Sequence, residues 1–235
     1  MEHFSAWLQA LGFGGLGLAS DALARGGAQL DLPALLALAA ALGWASGIRL
    51  YAVVFVTGLA GALGWWPLPA GLHLLQHPAM LAASGAMLFV EFFADKIPGL
   101  DSLWDLVHSV IRIPAGAALA AGVFGADSGT MAAVAALLGG SLAATSYTTK
   151  AVTRAAVNTS PEPFSNIALS LLEDGATVGA LWLAAQHPLA FGISLCAVLV
   201  ISLWLLVRLW RFLTALVRRV SSGWRVPYVQ QDTDR

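Results

Sequence analysis

EFFADKIPGLDSLWDLVHSVIR, residues 91–112, is the stretch that decides how this chain is read. It packs four of the chain's 13 carboxylates, Glu91, Asp95, Asp101 and Asp105, into 15 residues of an otherwise oily sequence. On an ideal helix Asp101, Asp105, His108 and Arg112 fall within about 60° of arc, while Leu103, Trp104, Leu106, Val107 and Val110 take other faces. Glu91 and Asp95 repeat the i, i+4 relation one helix earlier. Ionisable groups at membrane depth are costly, so a stripe of them marks a functional site by default.

The rest of the chain supplies that depth. Only 11% of residues are charged and 58% are hydrophobic, whereas soluble domains carry roughly 25% charged residues, so lipid is the solvent for most of this protein. Uncharged runs of spanning or near-spanning length occupy 32–48, 50–72, 78–90, 113–125, 128–149 and 188–207, and shorter ones at 163–172 and 175–186 flank Glu173 and Asp174. They are Ala/Leu/Gly-rich and continuous, without the alternation a β-barrel needs, and a bilayer admits only helices or closed barrels. The predicted class is all-α and polytopic. Six transmembrane helices are expected at 33–63, 79–96, 101–126, 130–158, 165–184 and 188–214, within one domain spanning 31–214.

Connections 64–78, 127–129 and 185–187 carry no Lys or Arg, whereas the other side receives Arg25, Lys96 and the cluster Arg208, Arg211, Arg218, Arg219 and Arg225. The positive-inside rule then makes both termini cytoplasmic and residues 215–235 a basic cytoplasmic tail. Trp65 and Trp66 fit an outer interfacial anchor, and Trp204, Trp210 and Trp224 an inner one. Residues 1–30 read as an interfacial helix, because the apolar run from Phe4 to Ser20 is short, Gly-rich and preceded by no base. A seventh crossing is the alternative. The single Cys196 excludes an intrachain disulfide. A net charge of −1 gives no nucleic-acid signal.

The order of features repeats along the chain. A long helix with buried bases (Arg49; then Lys150 and Arg154) is followed by a Pro-x-Pro connection (WPLP at 66–69; SPEP at 160–163). Next come a helix with paired acids (Glu91 and Asp95; then Glu173 and Asp174) and an apolar helix. Three crossings per half would make 33–126 and 130–214 inverted repeats, a recurrent transporter plan, although spacings inside the halves do not align. Helices 33–63 and 130–158 exceed what a hydrocarbon core of roughly 30 Å needs, so a break or a re-entrant turn is expected in them. Gly43 to Gly47 and LGGS at 138–141 are the candidate break points. The alternative is that Gly43 and Gly47 form a small-xxx-small packing seam.

Unpaired, so many charges could not be tolerated, because each costs on the order of 2.5–3.5 kcal/mol at mid-span. Arg49, Arg112, Lys150 and Arg154 nearly balance Glu91, Asp95, Glu173 and Asp174, which predicts a cross-helix ionic network. Glu91 and Glu173 are expected on facing helices within reach of Arg49 or Lys150. Asn166, Ser170, Glu173 and Thr177 form one polar stripe, and Ser146, Lys150, Thr153 and Arg154 another. The candidate binding set is therefore Arg49, Glu91, Asp95, Asp105, His108, Arg112, Lys150, Arg154, Asn166, Ser170, Glu173 and Asp174. Lys96 and Asp101 flank Pro98-Gly99 and read as interfacial, with Asp101 a helix cap. His108 reads equally well as a hydrogen-bonded structural histidine. The carboxylates with His108 would suit a hard divalent ion, but their spacing is unspecific. No P-loop, Gly-x-Ser-x-Gly elbow or His-Glu-x-x-His is present, so no cofactor is implied and an enzyme is not favoured.

GWASGIRLY (43–51), residues 91–108 of the opening stretch and SLLED (170–174) resemble a mainly bacterial membrane family catalogued as domain-of-unknown-function family 4126. The likeness covers roughly 33–185 and leaves the Arg-rich C-terminal extension outside. It implies a multi-helix membrane protein and supplies no activity; the bacterial inner membrane is the expected location. The leading expectation is a small transporter or channel-like protein for an ion or small polar solute, proton-coupled through Glu91, Asp95, Glu173 or Asp174. The alternatives are a membrane-embedded enzyme or carrier for a lipid phosphate, clamped by Arg49, Arg112, Lys150 and Arg154, and a non-transporting structural protein. The bilayer and the transported solute are the expected partners, and a homo-oligomer is compatible with either.

Overall fold

The computed structural model describes residues 30–97, 100–125, 128–159 and 163–222; the segment expected to be interfacial and the end of the basic tail lie outside these. The described residues form six long helices and no strand: α1 (Leu32–Ala62), α2 (Pro78–Ala94), α3 (Leu100–Phe124), α4 (Gly129–Val157), α5 (Pro163–Gln186) and α6 (Pro188–Ser222). A 3-10 turn, Ala70–Gln76, precedes α2.

Local chemistry sets several starts. Asp31 accepts from the Ala34 amide at 3.0 Å, His77 Nδ1 from Ala79 at 3.2 Å and Ser128 from Met131 at 3.3 Å, each satisfying an orphan donor of a first turn. Pro33 and Pro78 occupy first-turn positions where no amide proton is needed. α6 continues through the first part of the expected tail to Ser222.

Five helices, α1 and α3 to α6, are long and apolar enough to cross a membrane, and the 3-10 turn with α2 forms a sixth candidate bent by 67°. The packing of α1 shows two limbs that run in opposite directions. Arg49 sits at φ −142°, ψ 78°, outside the helical region. Before this break Gly43 lies against Gly139, Gly47 against Ala143 and Ser146, and the Ile48 carbonyl against Lys150. This first limb descends in step with α4. After the break Phe55 meets Gly85, Gly58 meets Leu75 and Leu81, and Gly61 meets Leu68 and Gln76. The second limb therefore climbs antiparallel to α2.

α2 and α4 run in the same direction. Both end near the Asp95–Lys150 pair, and both begin at the C-terminal end of α3, where Gly71 and Leu72 touch Gly122. The outer ends of both limbs of α1, Leu32 and Ala62, thus lie at one end of the bundle. Leu32–Ile48 runs inward for ~25 Å and Leu50–Ala62 returns for ~20 Å at 1.5 Å per residue. Arg49 is the tip of a re-entrant pair, most of it buried by α3, α4 and α5.

The break therefore falls two residues beyond the expected glycine segment, and α4 is continuous through Gly139 and Gly140. The glycines serve contact instead. A Cβ on Gly43 would lie 2.6 Å from the Gly139 Cα, and one on Gly116 of α3 would lie 2.8 Å from the Ala143 Cβ. Bare backbones let α1, α3 and α4 approach closely enough for dispersion to hold them together in lipid. Leu32 and Ser222 consequently lie at opposite ends of the bundle, because only α2 to α6 separate those ends.

This topology predicts a labelling pattern. With Cys196 replaced by alanine, cysteines introduced at Asp31 and Trp65 should react with a membrane-impermeant maleimide from one face, and a cysteine at Thr214 from the other. Labelling of Asp31→Cys and Trp65→Cys from opposite faces would mean that α1 crosses.

Candidate functional site: a sealed ionic network at the tip of α1

The re-entrant turn delivers Arg49 to a point where α2, α3, α4 and α5 each contribute charge. Its Nη1 meets Asp95 Oδ2 at 2.9 Å, its Nε meets Asp174 Oδ1 at 3.1 Å, and Nη2 lies 3.8 Å from Glu173 Oε2. Nη2 also donates to the Ser170 hydroxyl at 2.8 Å and the Ser170 carbonyl at 3.1 Å. Ser146 and Lys150 on α4 anchor the neighbouring backbone, donating to the carbonyls of Trp44 at 2.6 Å and Ile48 at 3.1 Å.

Asp95, the residue that ends α2, is the hub. One oxygen, Oδ2, faces Arg49, Lys150 at 3.1 Å and Arg154 at 3.3 Å. Arg154 forks onto Glu173, with Nη2 at 2.6 Å and Nε at 3.1 Å, a bidentate geometry that fixes orientation as well as charge. Its Nη1 reaches Asp101 at 3.1 Å, Asn166 Oδ1 at 3.3 Å and the Asp95 carbonyl at 2.9 Å. Lys150 adds Asp105 at 3.0 Å and Glu173 at 3.4 Å. A second centre joins through Asp105: Arg112 holds Asp105 Oδ1 and Glu91 Oε1, each at 2.6 Å.

Ten charged groups are thereby linked, six carboxylates (Glu91, Asp95, Asp101, Asp105, Glu173, Asp174) to four bases (Arg49, Arg112, Lys150, Arg154). Nine are buried, and Asp174 alone keeps 25% of its side chain exposed. Four carboxylate oxygens, Glu91 Oε2, Asp95 Oδ1, Asp105 Oδ2 and Asp174 Oδ2, have no hydrogen-bond partner, nor do Asn166 Nδ2 and Thr177 Oγ1. Among the described residues no group of three or more His, Cys, Asp or Glu is arranged to hold a metal ion.

The predicted stripe Asp101, Asp105, His108 and Arg112 is buried along its whole length. His108 nevertheless stands apart from the charges: its Nδ1 bonds the Trp104 carbonyl at 2.8 Å, and its ring stacks on Trp104 at 4.0 Å and meets Tyr51 edge-on. Glu173 lies by Arg49 and Lys150 as expected, but the partner of Glu91 is Arg112, because α2 and α5 do not pack face to face. Asp101 does more than mark a helix start. It binds Arg154 and accepts from Asn158 Nδ2 at 3.1 and 3.2 Å. Asn158 was absent from the candidates, yet Lys150, Arg154 and Asn158 share one face at i, i+4, i+8.

Lys96 was expected at the interface. Its Nζ lies 3.0 Å over the Phe92 ring, donates to the Phe92 carbonyl at 3.0 Å and approaches the Ser170 hydroxyl at 3.4 Å. Burial lowers its pKa, against an upward pull from Asp174.

Fold and site together define a helical, multi-pass membrane protein built around a buried ionic network. Residues 36–210 match the family described as a domain of unknown function, DUF4126, and the chain belongs to that family. The match reaches past α5 into the Arg208 region, further than the sequence strings suggested. No curated protein and no solved structure matches the chain.

Proposed function

We propose that the protein is a small transporter or channel-like protein for an ion or small polar solute, coupled to protons through its buried carboxylates. The observation that carries this reading is the charge inventory. A network whose only task is to hold helices together is most stable when balanced, yet here six carboxylates, five of them buried, meet four buried bases. The surplus negative charge calls for a proton or a cation. A broken helix whose tip sits among buried charges is also the device with which transporters bring backbone termini to a binding site.

Inverted symmetry is not needed. α1 turns back while α4 runs straight, so halves 33–126 and 130–214 are built differently around one shared site. In a bacterial inner membrane the end with Lys96, Arg208 and Arg211 would face the cytoplasm. Leu32 would then be external. The lipid-phosphate reading gains no support, since all four bases are spent on carboxylates.

The test combines thermal stability in detergent with flux in proteoliposomes. Asp95→Asn and Glu173→Gln should give folded protein with flux reduced at least about tenfold, and neutralising a partner base should not restore it. Stability lost in the single variants and regained in acid-plus-base doubles, with flux absent even in wild type, would leave only a structural network.

A further inference from the structure

Asp174 is the single carboxylate of the network with an open flank. Its side chain is 25% exposed, whereas the other five are exposed by 9% or less. Oδ1 is held by Arg49 Nε, and Oδ2 has no hydrogen-bond partner. Three residues on along α5, Thr177 is fully buried and its hydroxyl is also unpartnered. Residues at i and i+3 are neighbours on a helix surface, so the two unsatisfied buried oxygens belong to adjacent positions of α5. A buried hydroxyl without a partner is costly and marks a missing occupant.

A tethered cation stands close by. Lys96 shares the Ser170 hydroxyl with Arg49, at 3.4 and 2.8 Å, and makes no ion pair among the described residues. Counting Lys96, five bases face six carboxylates, which leaves one negative charge for a single monovalent cation.

We propose that Asp174 and Thr177 bind one monovalent cation, a proton or a sodium or potassium ion, and that Lys96 competes with it for the Asp174 carboxylate. The inference rests on the transport reading above and names its solute class. When the flexible Lys96 stem swings its ammonium towards Asp174, the bound cation is expelled; when the ammonium returns to Phe92, the site refills. Oxygen-only donors suit a hard monovalent ion, and Asp174 is the carboxylate of the network whose side chain borders the outside.

Binding is read apart from flux, as the melting temperature of the full chain in detergent. Sodium or potassium chloride is titrated against choline chloride at constant ionic strength, and the pH is lowered in a parallel series. One of the three cations should raise the wild-type melting temperature saturably. Asp174→Asn should abolish that response, and Thr177→Val should weaken it about tenfold. Lys96→Gln should lower the half-saturating concentration about tenfold by removing the competitor. A response to pH alone identifies the proton, and a response to salt at fixed pH identifies the metal ion. If Asp174→Asn does not fold, Thr177→Val and Lys96→Gln still decide, because they must move affinity in opposite directions. Responses in all variants equal to wild type, or none in wild type to any of the three cations, would overturn the site. Wild type that binds but carries no flux keeps the site and ends the transport reading.

Discussion

Replacing Arg112 by methionine should nearly abolish folded protein, while Glu91→Gln should leave it within a few degrees of the wild-type melting temperature. Among the described residues Arg112 is the one base in ion-pair contact with Glu91 and one of two close partners of Asp105, and all three are buried. Methionine at 112 strands Glu91, and a stranded buried charge costs roughly 3–5 kcal/mol, a large share of the roughly 5–15 kcal/mol by which a typical protein is stable. Removing Glu91 instead leaves Arg112 paired with Asp105 and reduces the surplus of carboxylates. The double variant Arg112→Met/Glu91→Gln should recover most of the stability, since Asp105 keeps Lys150 at 3.0 Å. Melting temperature and monodisperse yield in detergent measure all three. A stable Arg112→Met, or a double variant no better than it, would mean that Glu91 does not depend on Arg112 for its charge balance.

Gly43→Leu should be as damaging without touching a charge. A Cβ at 43 would meet the Gly139 Cα at 2.6 Å and its carbonyl oxygen at 2.8 Å. Backbone cannot move aside as a flexible side chain can, so the first limb of α1 must back away from α4. Ser146 would then lose Trp44 and Lys150 would lose Ile48, and the tip that carries Arg49 would be misplaced. Overpacking typically costs about 1–3 kcal/mol, and loss of the anchored tip adds to that, so Gly43→Leu should yield little folded protein and Gly43→Ala a reduced amount. Gly175 on α5 is the control, because nothing lies within 4 Å of a Cβ placed there. Gly175→Ala should match or exceed wild type, having removed a helix-interior glycine worth about 0.8–1 kcal/mol. Equal losses at Gly43 and Gly175 would mean that the seam is not what holds α1 in place.

Six helices were legible from hydropathy because continuous apolar runs of spanning or near-spanning length fit a bilayer only as helices, whereas the capping contacts of Asp31, His77 and Ser128 came into view only in the structure. The buried stripe on α3 was legible as well: Asp101, Asp105 and Arg112 keep helical spacing whatever they touch. The charges of Arg49, Lys150, Arg154, Asp95 and Glu173 announced a network, since isolated charges in lipid cannot persist. Their pairing was not written there. Arg112 takes Glu91, and Asp95 gathers three bases, only because the limbs of α1 hold the surrounding helices in one register. Hydropathy counts the length of α1 and is blind to direction, so a single non-helical residue at Arg49 turns an apparent crossing into a re-entrant pair. The glycines were visible, but glycine serves a break and a seam alike, and only the helix lying against it decides between them. Composition and period thus determined the solvent, the helices and the faces that carry charge. The partners of each charge, the fold-back at Arg49 and the exposure of Asp174 were decided by tertiary packing, because they depend on distances between residues far apart in the chain.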